Sequence, residues 1–169
     1  HRDVKPANIM LTASGDLRLL DFGVARARFA ARESSTGQLV LGTLNYMAPD
    51  YVITGEVHPA LDVYGLALTL WEMATGEVFG QPKVREDSHT KRLEAHMGAL
   101  LPAHGALEPL LRRMLDWQPE ERPDAGEVAV ALQTMLPSLE GAGLLDFAQG
   151  AIPPILANRP ETPDTEALI

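Results

Sequence analysis

His1-Arg2-Asp3-Val4-Lys5-Pro6-Ala7-Asn8 opens the chain, and Asp21-Phe22-Gly23 follows a short distance on. Between the two lie Ile9 to Thr12 and Leu17 to Leu20, short apolar runs separated by the turn-forming cluster Ala13-Ser14-Gly15-Asp16. Short runs of this kind, bounded by turn residues, read as strands, and a brief Gly-containing connection joins them as a hairpin. The hairpin brings Asn8 and Asp21 together, so an amide and a carboxylate far apart in sequence meet at its open end.

Either motif alone is weak, because three-residue patterns recur by chance. Both in order, with Lys5 and Asn8 in register between them, resemble the catalytic loop and metal-binding loop of protein kinases. The resemblance implies a mainly α fold: a kinase C-terminal lobe, a helical bundle with a small β-hairpin carrying both loops. Phosphoryl transfer asks a protein for positioning and charge neutralisation more than for covalent chemistry. By resemblance, Asp3 accepts or orients the proton of the substrate hydroxyl, and Lys5 neutralises charge on the transferred phosphate. Asn8 and Asp21 ligate magnesium that bridges the phosphates of ATP, making Lys5, Asn8 and Asp21 the cofactor-binding set. Magnesium prefers hard oxygen donors and keeps several waters, so two side chains and phosphate oxygens suffice. Lys5 points to a serine/threonine rather than a tyrosine kinase, and His1 has the structural role of packing beneath the metal loop.

Asp21 to Asp50 has the length and markers of an activation segment, ending in Gly42-Thr43-Leu44-Asn45-Tyr46-Met47-Ala48-Pro49-Asp50. The resemblance implies that Thr43 hydrogen-bonds Asp3 and Lys5. The family closes this segment with Glu paired to a downstream Arg; here Asp50 stands in that place and Arg122 is the matching partner. A carboxylate one methylene shorter predicts a strained or water-bridged pair that nonetheless survives. Ser34, Ser35 and Thr36 lie in a polar run where a regulatory phosphate could sit. Arg2 and Arg26 match positions that form a basic pocket for such a phosphate, which adds nearly two negative charges. The same run also reads as an ordinary solvated linker, since Ser and Thr favour loops.

Downstream, His58 to Gly76 reads as one helix, with Pro59 in its first turn and Gly76 at its C-terminal cap. Apolar residues cover nearly its whole circumference, the pattern of a buried helix. Asp62 and Glu72 within it are expensive in lipid, which argues against a membrane span. By resemblance Asp62 braces the backbone of the catalytic loop. Leu107 to Leu115 falls at helical spacing, Asp124 and Glu127 form a capping-box start for a helix through Met135, and Ser88 to Met97 predicts a surface helix with a solvated charged face. From Pro137 on, Gly and Pro interrupt every periodicity. The domain reading is therefore a partial kinase domain over 1–136 and a flexible Gly/Pro-rich tail over 137–169.

The chain has 169 residues, 14 basic and 23 acidic side chains for a formal charge of -9, and no cysteine. That length predicts one core. The acidic balance disfavours nucleic acid or an anionic membrane as partner, and the lack of cysteine removes disulfides and thiol chemistry. No secretory signal or transmembrane run appears, which points to the cytoplasm. Short helix connections and an alanine-rich final helix have a bacterial style. No G-x-G-x-x-G occurs, and Lys83 and Lys91 lie too late to serve the nucleotide, so the smaller lobe that covers ATP is expected to lie upstream. Two functions follow: the catalytic lobe of an ATP- and magnesium-dependent kinase acting on Ser/Thr hydroxyls of proteins, inactive as an isolated fragment; or a noncatalytic interaction or regulatory module derived from such a lobe.

Overall fold

The computed structural model describes residues 1–22, 44–100, 102–138, 141 and 143–158. It divides into two compact units, one formed by His1–Ile9 and Leu19–Glu140, the other by Met10–Arg18 and Gly141–Ile169. The expected hairpin is present, with β1 at Ile9–Leu11 paired to β2 at Leu17–Leu19. Its turn closes through Gly15 N–H to Thr12 O (3.0 Å) and Thr12 N–H to Asp16 O (2.9 Å).

In the first unit, helix α1 spans Pro49–Thr54, α2 Ala60–Thr75, α3 Glu86–Met97, α4 Glu108–Met114 and α5 Ala125–Met135. Helix α2 is the central element. Val63, Tyr64, Ala67, Leu68 and Trp71 are all buried, and they meet Leu110, Leu111 and Met114 of α4 and Val128 of α5 in one core. Gly76 caps it in the left-handed conformation, donating its N–H to Glu72 O, as its position in the sequence predicts. The sequence reading began this helix at His58; in the structure Pro59 is the cap residue and His58 lies outside, bonded elsewhere. Nor is α2 buried all round, since Met73 is 74% exposed.

Helix α3 starts two residues earlier than expected, and its face is not simply solvated. His89 and Met97 are buried, Arg92 reaches the Gln81 carbonyl, and Glu94 holds Arg112 at 2.6 Å. The sequence could not show this, because the partners come from other elements. The stretch before α4 is a 3-10 turn, Pro102–Leu107, so the periodic apolar run is helical of two kinds. At α5 the capping box forms as read: Asp124 accepts from Glu127 N–H (2.8 Å) and Glu127 accepts from Asp124 N–H (2.9 Å).

The second unit corrects the expectation of a tail without regular structure. Leu144–Ala157 is a helix, α6, with Pro153 and Pro154 inside it. Each proline removes one backbone donor and disfavours the helix interior, which is why the sequence reads as broken there. Packing offsets that penalty: Ala148 is fully buried, and the helix lies directly against the hairpin turn. A Cβ on Gly15 would stand 2.9 Å from Leu145 Cα, and Gly15 has φ +81, so both the turn and the approach depend on glycine. Among the described residues no helix is long and apolar enough to cross a membrane.

Candidate active site

The loop His1–Asn8 is fixed from below by α2. Asp62 accepts the Arg2 N–H at Oδ1 (2.6 Å), and its Oδ2 lies 2.6 Å from the His1 nitrogen. Arg2 has φ 75, a left-handed backbone conformation that costs a non-glycine residue on the order of 1–2 kcal/mol, and the short bond to Asp62 holds it there. Asp21 is the other such residue, with φ 63. Two strained positions therefore coincide with the two predicted motifs, a clustering typical of functional sites.

Gly65 was not among the expected site residues, yet the site depends on it. A Cβ there would lie 2.8 Å from the Val4 carbonyl oxygen and 3.5 Å from that of Tyr46. Its missing side chain lets the loop carrying Asp3 and the segment carrying Tyr46 both rest on α2. Only a glycine inside an otherwise apolar helical pattern hints at this in sequence.

Above that support, three predicted residues converge. Asn8 donates Nδ2 to the Asp3 carbonyl (2.7 Å) and to Asp3 Oδ2 (2.9 Å), and Lys5 Nζ lies 2.8 Å from the same Oδ2. Asn8 is buried, at 6% exposure. With its amide nitrogen fixed on Asp3, its amide oxygen is presented to the opposite side as a hard donor. Asp21 stands at the same open end of the hairpin, just past β2 and exposed, where the Leu20 N–H to Asn8 O bond (2.8 Å) joins the two strands. An amide oxygen and a carboxylate are the donor chemistry that magnesium takes.

His1 ties the two ends. Its Nε2–H donates to Leu20 O (2.7 Å) while Nδ1 faces the Asp3 N–H (3.4 Å), so one tautomer serves both. The Phe22 ring meets its edge at 4.7 Å.

Beside Asp3 lies a pocket of about 30 Å³ lined by Arg2, Val4, Tyr46, Met47, Tyr51 and Leu61. Its far wall is braced twice. Tyr46 donates its hydroxyl to Glu72 on α2, and partial burial, reinforced by this bond and the Glu72 charge, holds the phenol well above its usual range. Asp50 meets Arg122 directly, Oδ1 to Nη2 at 2.5 Å, where the shorter side chain led us to expect strain or a bridging water. Arg122 is fully buried along its side chain, donates Nε to Asp116 O (2.8 Å), and stacks 4.9 Å over the Tyr64 ring. Thr43, Arg26, Ser34, Ser35 and Thr36 lie outside the described residues, while Arg2 is exposed at the edge of the pocket.

The protein kinase domain model matches residues 1–132. The chain belongs to this family. Within it, the chain is 37% identical over 150 residues to serine/threonine-protein kinase PknD of Mycobacterium tuberculosis, covering 83% of this chain and 22% of that kinase. It is 46% identical over 76 residues to PknL of the same organism, 45% of this chain and 19% of the relative. PknA is 43% identical over 77 residues, 46% of this chain and 18% of its own length. The chain thus spans about a fifth of the length of the kinases it matches. The match ends at residue 132, so α6 lies beyond the family's boundary.

Proposed function

We propose that the protein carrying this chain is a serine/threonine kinase that transfers the terminal phosphoryl group of ATP to Ser/Thr hydroxyls of proteins, with this chain as its catalytic C-terminal lobe. The observation that carries the reading is the convergence of the Asn8 amide and the Lys5 ammonium on one oxygen of Asp3. Those contacts occupy Oδ2 and fix the carboxylate plane. The Asp3 carboxylate so oriented is the group to receive the substrate hydroxyl proton as the bond to phosphorus forms. Lys5, beside it, carries a positive charge to where negative charge develops on the transferred group. Asn8 and Asp21 would hold magnesium, which when bound neutralises charge on the nucleotide phosphates.

A second lobe outside this chain supplies the rest of the ATP site, and activation involves phosphorylation within Ser34, Ser35 and Thr36 or at Thr43, with Arg2 and Arg26 as the receiving cations. In the full-length protein, Asp3→Asn is expected to lower kcat by roughly 10²–10⁴ while leaving nucleotide affinity in place. A variant that phosphorylates a protein substrate at the wild-type rate overturns the assignment. Activity that persists when all four hydroxyls are removed overturns the regulatory part alone.

A further inference from the structure

Asp50 divides its two oxygens between partners on opposite sides. Oδ1 takes Arg122 Nη2 at 2.5 Å, and Oδ2 takes His58 Nε2 at 2.8 Å. The consequence for the arginine is visible: Nη1 of Arg122 is buried and has no hydrogen-bond partner among the described residues. A guanidinium facing a carboxylate ordinarily uses two nitrogens, and a buried N–H without an acceptor is costly. Here the second Asp50 oxygen is taken by His58 instead.

The geometry points to His58 as a positioning residue of the substrate-side wall, standing in for the half of the Arg122 fork that the short Asp50 side chain leaves unmet. His58 stands just before Pro59, the cap residue of α2, and Asp50 lies in the first turn of α1. Their bond therefore fastens the segment Leu44–Tyr51 to the same helix that, through Asp62, holds the loop carrying Asp3. Without it, Asp50 is held by its single Arg122 contact alone. Tyr46, Met47 and Tyr51, which line the pocket beside Asp3, then lose one of the ties that hold their segment in place. The role needs a donor at position 58 only as long as residue 50 is an aspartate. A glutamate at position 50, one methylene longer, can give both oxygens to Arg122 and free His58 of its task.

This pattern of dependence is the test. Hydrogen exchange is measured on full-length protein for wild type, His58→Ala, His58→Gln, Asp50→Glu and the double variant Asp50→Glu/His58→Ala. The amides followed are Met47, bonded to Leu44 O, and Val52, bonded to Ala48 O. His58→Ala is expected to speed their exchange about tenfold, the loss of one hydrogen bond to a charged group, while amides inside α2 keep their protection. His58→Gln retains an N–H donor and restores wild-type exchange, and in the Asp50→Glu background His58→Ala has no effect. Unchanged exchange in His58→Ala overturns the proposal, as does an equal effect of His58→Ala in both backgrounds.

The functional consequence rests on the kinase reading: His58→Ala raises KM for a protein substrate more than it lowers kcat, and Asp50→Glu cancels the change. If none of the five proteins transfers phosphate, the kinase reading fails while the exchange result still decides the role of His58.

Discussion

At the scale of the residue, the site is an exercise in fixing one carboxylate. Asp3 is placed by three residues: Asn8 on its carbonyl and Oδ2, Lys5 on Oδ2, and the His1 ring beneath its N–H. All of them depend on the strained backbone at Arg2, and that strain depends on Asp62. Asp62→Ala removes a charge-assisted bond from Arg2 N–H and lets φ 75 relax toward the ordinary helical or extended regions. A shift of about 1 Å at a reacting group costs on the order of 10² in rate. If the proposed function holds, kcat of the full-length protein falls by about that factor while far-UV circular dichroism stays unchanged. A rate within twofold of wild type would show that Asp62 only stabilises.

At the scale of the element, α2 acts as a bench on which two loops rest, and Gly65 is where they touch it. Two effects oppose each other in Gly65→Ala. Helix propensity favours alanine over glycine by about 1 kcal/mol. Against that, the new methyl would stand 2.8 Å from the Val4 carbonyl oxygen, a backbone atom that cannot rotate away. Displacing the catalytic loop costs more than the propensity returns, since overpacking in a tight interior typically costs about 1–3 kcal/mol. The variant is therefore expected to lower the urea midpoint and to raise hydrogen exchange of the Asn8 amide, bonded to Lys5 O. A higher midpoint would mean that the loop moves aside freely.

At the scale of the whole molecule, stability is linked to pH through His89. It is buried at 2% exposure, donates Nε2–H to Leu115 O (2.8 Å), and lies between the Tyr64 and Trp117 rings. Burial holds its pKa below the ordinary value, partly opposed by the Leu115 bond and reinforced by the Arg122 and Arg92 charges. The folded state therefore binds fewer protons than the unfolded state once pH falls below about 6.5, the ordinary histidine value. Stability from this group is complete above that pH and is lost as pH falls through the depressed folded value. Urea midpoints of wild type and His89→Gln are expected to differ more at pH 7.5 than at pH 5.5. A difference independent of pH would remove His89 from the acid response.

Much of the site was legible in the sequence because its information is local. The spacing of Asp3, Lys5 and Asn8, the turn cluster at Ala13–Asp16 and the Asp124/Glu127 box each need only neighbours along the chain to form, and the apolar stripe of α2 announces a core helix wherever it packs. What the sequence could not carry are contacts between residues remote in the chain. Gly65 looks like a flaw in a helix until Val4 is laid across it. His58 reads as a helix start until Asp50 is found opposite, and the two prolines of α6 break a pattern that packing against the Gly15 turn preserves. Local chemistry and periodicity determined which residues make up the candidate site and which helices exist. Tertiary packing alone decided how firmly those residues are held, because distances between remote groups are set by the sum of burial and hydrogen bonding over the folded chain.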